Sequence, residues 1–426
     1  MLIAAADVPA GDISAGDTAW LLVCTALVLF MTPGLAFFYG GMVRSKHVLT
    51  MLMQNFVCIA VVSLTWGAVG FSLAFGPDAG GGLVGTLRHV GFRHMNSPLT
   101  GFGSLTVPPL AFAAFQGMFA IITAALITGA IADRVRFGGF VVFVTVWSAV
   151  VYPVLAHWVF SPEGWLYRRG LLDFAGGTVV EVNCGAAAVA AAMVVGRRRG
   201  WPRVVMAPHS LPLTLLGAGI LWFGWFGFNA GSALRADGLA ASALVNTHYA
   251  GVGGLLAWIA VERLRSGHAT TLGAATGAVA GLVAITPSAG YVSAPAALLI
   301  GLAAGGLCVF AVTLKFRVGV DDSLDVFGVH LVGGVVGTLA IGLLASSTVN
   351  AGVTSQGLLL GGGFGQLGKQ ALGILVAAGF SFGATWLLAT ALHHTMGLRV
   401  DPETEAVGLD TALHAESAYD HSGGRL

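Results

Sequence analysis

Residues 172–195 read LDFAGGTVVEVNCGAAAVAAAMVV, an apolar stretch with the carboxylate Glu181 in its interior. The next Lys or Arg along the chain is Arg197, so no close neighbour in sequence neutralises it. A second ionisable residue, His330, stands in the apolar stretch GVHLVGGVVG. Ionisable side chains inside a membrane span are costly and mark ion or proton pathways. Glu181 and His330 are therefore the candidates for handling a proton.

The two residues occupy equivalent places in their spans. Each is followed four residues later by glycine, Gly185 and Gly334. At 1.5 Å per residue, Glu181 lies roughly 14 Å below the outer face and His330 roughly 10 Å above the inner face. In a hydrocarbon core of about 30 Å these heights differ by only about 6 Å. We expect the two side chains to meet near the midplane, either as an ion pair or sharing one proton, and to titrate as a coupled unit.

The composition indicates a membrane protein that places these residues in apolar helices. Of the 426 residues, 56% are hydrophobic and 9% are charged, whereas soluble domains carry about 25% charged residues. The net charge of +1 gives no reason to expect nucleic acid. A membrane span needs about 20 mostly apolar residues. Eleven stretches are predicted to be spans: 18–43, 48–75, 107–130, 137–159, 172–196, 208–232, 241–262, 270–287, 291–314, 324–345 and 370–396.

Positive charge predicts the orientation. One set of alternate loops holds twelve Lys and Arg and the other set holds six, and the richer set faces the cytoplasm. We expect an all-α membrane protein of eleven transmembrane helices, with the N-terminus outside and the C-terminus inside. Because five is odd, spans 1–5 and 6–10 form an inverted five-helix repeat, plus one extra helix. Residues 1–17 are then a periplasmic segment, 18–396 the transmembrane domain and 397–426 a cytoplasmic tail.

Little else in the chain suggests chemistry. The four cysteines, at 24, 58, 184 and 308, lie in apolar stretches without metal-ligand spacing and are interpreted as packing residues. The sequence has no HExxH, GxSxG or Walker motif, so we expect no enzyme, metal or cofactor. Glycine pairs at small-xxx-small spacing are interpreted as helix contacts: Gly277/Gly281, Gly301/Gly305, Gly333/Gly337 and Gly379/Gly383.

Seven motifs, spread from the first span to the tail, resemble the Amt/Mep/Rh family of ammonium transporters on its bacterial Amt side. This resemblance implies a homotrimer whose protomers each have eleven helices and a narrow hydrophobic pore. It also implies a multi-pass protein of the inner (plasma) membrane. The motifs are FYGGMVRSKHVL, FQGMFAIIT, GAIADRVRF, DFAGGTVVEVN, WFGWFGFNAGSA, DDSLDVFGVH and GLDTALHAESAY.

The resemblance also implies roles for individual residues. Phe119 in FQGMF and Phe228 in GFNAGS correspond to the two stacked rings that gate the family's pore. Ser232 corresponds to the serine of the outer recruitment vestibule, and Asp173 to the aspartate that braces it. His330 corresponds to the second of two pore histidines.

Two positions depart from the family pattern. Glu181 stands where DFAGGTVVHIN would place the first pore histidine, a change that resembles a subset of fungal members. Phe160 stands where the vestibule tryptophan is expected, and the nearby Trp158 differs from it in helical phase by about 200°. Aromatic rings attract a cation by about 0.5–2 kcal/mol each and Trp is the best of them, so Phe160 weakens recruitment by a fraction of that range.

The function that the resemblance implies is ammonium transport. Ammonium is recruited at the vestibule and deprotonated, ammonia crosses the pore, and the proton moves by a separate polar route. Two alternatives remain open: an ammonium sensor with little flux, and a neutral gas channel of the Rh type. No kinase or cyclase domain follows the last span, and the tail segment EAVGLDTALHAESAY resembles the bacterial regulatory tail that docks PII-type signalling proteins.

Overall fold

A computed structural model describes residues 13–103 and 105–419, and within these ranges the chain is helical without a β-sheet. Apart from two short segments described below, the described residues form thirteen α-helices. They are α1 Ala15–Met42, α2 Val48–Thr65, α3 Pro109–Ile127, α4 Phe137–Phe160, α5 Asn183–Val195, α6 Leu211–Gly231, α7 Gly238–Ser266, α8 Thr271–Ile285, α9 Ala294–Val318, α10 Val332–Leu344, α11 Gly365–Thr395, α12 Pro402–Val407 and α13 Leu409–His414.

Short helical segments extend several of these helices. Trp66–Gly70 and Phe71–Phe75 continue α2, Thr128–Ile131 continues α3, and a separate turn, Trp165–Arg168, follows α4. With these extensions, the described residues contain ten helical stretches that are long and apolar enough to cross a membrane. The remaining predicted span, 270–287, corresponds to α8, which is apolar but only 15 residues long. The count of eleven spans therefore stays a prediction.

Glycines let the helices approach closely, as their spacing predicts for three of the four pairs. A Cβ added at Gly281 or Gly301 would collide with the same backbone carbonyl, that of Ala250. The fourth pair, Gly379 and Gly383, differs, because a Cβ at either position has no atom of the chain within 4 Å. Its interpretation as a helix contact is wrong within this chain, since both positions lie on an open face of α11.

Two wide π-helical turns lead into α5 and α10, and they carry the predicted pore residues. The first is Gly177–Val182, with Glu181, and the second is Phe327–Leu331, with His330. In the first turn the Glu181 amide donates to the carbonyl of Gly176, five residues earlier, at 3.0 Å. Gly176 has φ 116°, a conformation that glycine adopts without a steric penalty. Turns of this type occur frequently at functional sites.

An ion network closes the end of the bundle that carries Arg44, Arg134, Arg198 and Arg399, which we call the basic end. Arg198 donates to both oxygens of Asp321, with its Nη2 2.8 Å from Oδ1. The wholly buried Arg134 donates to the Asp321 carbonyl and to the Ser323 hydroxyl, each at 2.6 Å. The network therefore ties the loop before the second π turn to the loops that follow α3 and α5.

The tail folds back on the basic end. Arg399 and Glu405 form an ion pair at 2.9 Å, and the Glu405 carboxylate also accepts from the Arg199 amide at 2.6 Å. Asp410 in α13 accepts hydrogen bonds from the first turn of α2. The predicted regulatory segment is thus packed against the helix bundle over its described residues.

Candidate functional site: two chambers separated by a phenylalanine pair

An outer cavity of about 520 Å³ opens at the end of the bundle opposite the basic end. All four residues predicted for the recruitment site line it: Phe119, Phe160, Asp173 and Ser232. The Ser232 hydroxyl donates to the Phe228 carbonyl at 2.8 Å, so its lone pairs remain available to accept an N–H. The cavity therefore offers a hydroxyl acceptor and several ring faces to a small cation. Trp158 is not among its lining residues.

Two stacked rings form the floor of this cavity. The centroids of Phe119 and Phe228 lie 4.2 Å apart, with their planes inclined by 32°. Phe119 lines the outer cavity, and Phe228 lines a separate inner cavity. Both rings are about 1% exposed, so a molecule that passes between the cavities has to displace them. The structure thus places the predicted gate residues between two chambers.

The inner cavity has a volume of about 10 Å³, which is about the minimum that holds one water-sized molecule. Its wall is almost wholly apolar, and the side-chain polar groups that face it belong to Glu181, His330 and Trp225. The Trp225 indole N–H donates to the Thr286 hydroxyl at 2.8 Å. The remaining lining residues are Met31, Leu35, Phe38, Ile122, Leu126, Val180, Leu221, Phe228 and Val279.

Glu181 and His330 meet in this chamber, as the depth estimate predicts. Glu181 Oε2 lies 2.7 Å from His330 Nδ1, and the two residues are 1% and 3% exposed. One proton therefore lies between the two atoms, because neither a carboxylate oxygen nor an unprotonated ring nitrogen can donate. The second carboxylate oxygen, Oε1, is buried without a hydrogen-bond partner. It remains available to a molecule or ion in the chamber.

The two matched glycines allow this contact. A Cβ at Gly334 would lie 2.9 Å from the Glu181 Cβ, and a Cβ at Gly185 would lie 2.6 Å from the Leu331 backbone nitrogen. Both distances are shorter than real Cβ contacts, so larger residues would push the two pore helices apart. In each pore helix, the glycine four positions after the ionisable residue therefore lets the two helices pack closely enough for Glu181 and His330 to meet.

Asp173 holds the first π turn in place. Its carboxylate accepts backbone hydrogen bonds from Gly176, Gly177 and Thr178, each at 2.7 Å, and a further bond from the Thr178 hydroxyl. No Lys or Arg of the described chain pairs with it, so its charge is balanced by N–H and O–H dipoles alone. Asp173 thus shapes the turn that carries Glu181 and also presents a carboxylate to the outer cavity.

Two residues of the site, Gln116 and Cys184, are not predicted to be functional from the sequence. Gln116 lines the outer cavity, and its Oε1 is buried without a partner. Its position three residues before Phe119 places it on the same helix face, a spacing that could have revealed it. The Cys184 thiol donates to the Glu181 carbonyl at 3.4 Å and belongs to the surroundings of the pore pair, although its sequence context indicates packing alone.

At the basic end, the pKa values of two neighbouring carboxyls, Asp321 and Asp322, are shifted in opposite directions. Burial alone would raise the pKa of Asp321, but the Arg198 hydrogen bonds and the nearby Arg134 charge outweigh it, so the pKa is lowered. Burial raises the pKa of Asp322 to about 6, although the Lys315 charge opposes the shift. Asp322 Oδ2 accepts from the Phe327 amide at 2.7 Å and so caps the turn that carries His330.

Known proteins are similar to this chain in sequence and fold. The chain matches the Ammonium Transporter Family over residues 19–419, and it belongs to that family. It is 50% identical to an ammonium transporter of Mycobacterium tuberculosis (strain H37Rv), over 95% of this chain and 90% of that protein.

Two solved structures have the same fold. One is Saccharomyces cerevisiae Mep2, with a TM-score of 0.86, 35% identity, and coverage of 92% of this chain and 89% of the other. The other is described as a sensor Amt protein, with a TM-score of 0.85, 32% identity, and coverage of 93% and 98%. The resemblance seen in the motifs is thereby confirmed, and the chain is a multi-pass membrane protein of the ammonium transporter family.

Proposed function

We propose that this protein takes up ammonium by recruiting the ion in the outer cavity, removing its proton, and passing ammonia through the inner chamber, with net movement of the proton. The observation that carries the proposal is the buried 2.7 Å contact between Glu181 and His330 directly beneath the Phe119–Phe228 pair. In this scheme the pair accepts and relays the proton, and Glu181 replaces one histidine of the usual family pair.

Each step of the route is supported by a physical feature. Recruitment is favoured by the Asp173 carboxylate, the Ser232 hydroxyl and the ring faces of Phe119 and Phe160. The two gate rings exclude a hydrated ion because they are in contact and buried. The inner chamber accepts one water-sized molecule, and ammonia has that size. Potassium, which is close to ammonium in size, has no proton to lose and is rejected at this step.

The surroundings of the pore are part of the same proposal. Eleven helices cross the plasma membrane as an inverted repeat plus one helix, and three chains form a homotrimer. The basic end faces the cytoplasm, because arginines concentrate there. The folded tail presents a docking surface for a PII-type signalling protein at the cytoplasmic mouth. No catalytic step on a substrate other than proton transfer is required, so the protein acts as a transporter rather than an enzyme.

The decisive test is Glu181→Gln in proteoliposomes on a solid-supported membrane. Gln fills nearly the same volume but carries no charge, so we expect the steady current after an ammonium jump to fall at least tenfold, or potassium to be admitted. Glu181→His restores the usual family pair and should stay active with a changed pH profile. Glu262→Gln serves as a matched control, because this carboxylate lies at the exposed end of α7. Wild-type current, pH dependence and potassium exclusion in Glu181→Gln would refute the proton-handling role.

The same recordings separate the two alternative functions. A brief binding transient without steady current would indicate a sensor, a reading that the structural similarity to the sensor Amt protein keeps open. Uptake of ammonia without charge movement would indicate a neutral gas channel. Steady charge movement that saturates with ammonium is the outcome that supports electrogenic transport.

A further inference from the structure

Three potential metal ligands surround the pore pair. One donor atom each of Glu181, Cys184 and His330 lies within 4.8 Å of the other two, and all three residues are buried. Glu181 and Cys184 are three residues apart, so they lie on the same face of one helix, and His330 comes from the opposing helix. No spacing within the sequence reveals this group, because its third member is 146 positions further along the chain than Cys184.

A second observation indicates that the group can accept a ligand. Glu181 Oε2 is occupied by His330, but Oε1 has no hydrogen-bond partner although the residue is 1% exposed. A buried carboxylate oxygen without a partner is energetically costly. Glu181 and His330 also line the small inner chamber, whose wall is otherwise almost wholly apolar.

The donor set and its surroundings favour a soft metal ion of low charge. Thiolate and thioether sulfur select soft ions such as Cu(I), and the Met31 thioether lines the same chamber. The energy of burying an ion rises with the square of its charge, so an apolar chamber disfavours a divalent ion far more than a monovalent one. Typical metal–ligand bonds of about 2.0–2.3 Å place neighbouring ligands within about 4 Å of each other, so the donors need to converge by only about 1 Å.

We propose that Glu181, Cys184 and His330 form a binding site for a soft monovalent metal ion of the Ag⁺ and Cu⁺ class. The Cys184 thiol releases its proton as the metal–sulfur bond forms. The proton between His330 Nδ1 and Glu181 Oε2 is displaced to the other ring nitrogen, so that a ring nitrogen and the carboxylate complete the coordination. The bound ion occupies the proton-handling pair, so it inhibits transport. This inhibition rests on the proposed function, whereas the binding itself does not.

Silver provides the test, added as its nitrate in chloride-free buffer. The chain's other cysteines, Cys24, Cys58 and Cys308, are buried and free, and a triple Ser variant at these positions leaves Cys184 as the single thiol. We expect this variant to bind one Ag⁺ per chain, measured by elemental analysis after dialysis, and to lose its ammonium current. Adding Cys184→Ser should abolish stoichiometric binding and reduce the silver sensitivity of the remaining current at least tenfold.

The coordination shell distinguishes a three-residue site from a reactive thiol. X-ray absorption at the silver edge should show sulfur together with nitrogen or oxygen neighbours in the triple Ser variant. Sulfur neighbours alone would overturn the site, as would unchanged binding in the Cys184→Ser protein. If one ion bound with both sulfur and nitrogen or oxygen neighbours but the ammonium current were unaltered, the metal site would be supported. The transport route through this chamber would then be refuted.

Discussion

The two π turns that carry the pore pair have similar geometry but are held in different ways. Asp173, at the outer turn, accepts five hydrogen bonds on its two oxygens and pairs with no Lys or Arg among the described residues. Asp322, at the turn near the basic end, accepts from the Phe327 amide, has an oxygen without a hydrogen-bond partner, and lies near Lys315. One carboxylate is therefore fixed by dipoles and the other by a balance of charges.

This difference indicates that the two turns have different roles. A carboxylate held by backbone amides keeps its geometry, which suits the recruitment site of the proposed function. A carboxylate in a charge network responds to pH and to changes at its neighbours. The inner turn is in contact with the ion network of the basic end, and that network reaches the tail through Arg399 and Glu405. We infer that regulation acts on the half of the pore that carries His330.

The largest expected effect is that of Asp173→Asn. The amide has one acceptor oxygen instead of two, and its NH₂ group faces donors, so at least two buried groups lose their partner. Each costs about 1–3 kcal/mol, and we expect a loss of roughly 2–6 kcal/mol in the free energy of unfolding together with lost ammonium current. Thermal unfolding of the purified protein in detergent measures the first quantity.

The matched control for this prediction is Asp322→Asn, which changes the equivalent residue of the other turn. An Asn side-chain oxygen still accepts from the Phe327 amide, so this bond is kept. Similar destabilisation by the two substitutions would show that the turns are held in the same way, and would contradict the comparison.

A smaller and pH-dependent effect is expected at Asp322 itself. Its pKa is about 6 in the folded protein and about 4 in an unfolded chain. The folded state therefore binds the proton more tightly, so this group's stabilisation is fully present below pH 4 and is lost as the pH rises through 6. A shift of about two units corresponds to about 3 kcal/mol. Asp322→Asn should remove this dependence, as measured by unfolding midpoints between pH 4 and 8.

Asp321 supplies a control of opposite sign. Its pKa is lowered in the folded protein, so its stabilisation is present above its unfolded pKa and is lost as the pH falls through the folded value. Asp321→Asn should therefore be most harmful at neutral pH, where Asp322→Asn is least harmful. If Asp322→Asn destabilised the protein at pH 7 as much as Asp321→Asn does, the assignment of the two carboxyls would be wrong.

The sequence predicts the pore pair well but not the features that hold it. The meeting of Glu181 and His330 follows from span position and from the glycines four residues later. The π turns cannot be predicted from the sequence, because an extra residue in a helical turn does not change the hydropathy pattern. The neighbourhood of Cys184 and the charge balance of Asp322 depend on contacts between distant helices. Local pattern therefore identifies Glu181 and His330, which line the inner chamber, whereas tertiary packing determines their partners.

The smallest effect is expected where the tail meets α2. Asp410 accepts from the amides of Leu49 and Thr50, at 2.9 and 2.8 Å, and from the Thr50 hydroxyl at 2.8 Å. It thus caps the start of α2 from 360 positions away, and removing such a cap costs about 1 kcal/mol. Asp410→Ala should lower the unfolding midpoint slightly, speed proteolysis in the tail, and weaken co-purification with a PII-type protein.

Truncation after Gly397 should abolish that co-purification altogether and alter the ammonium current, since the truncated chain lacks Arg399, Glu405 and Asp410. The comparison variant is Asp401→Ala, because Asp401 caps the tail's own exposed helix α12 rather than a helix of the bundle. It should loosen α12 but leave α13 on α2. If Asp401→Ala and Asp410→Ala released the tail equally, the attachment would depend on the tail's own folding, and the contact with α2 would not be the link between regulation and the basic end.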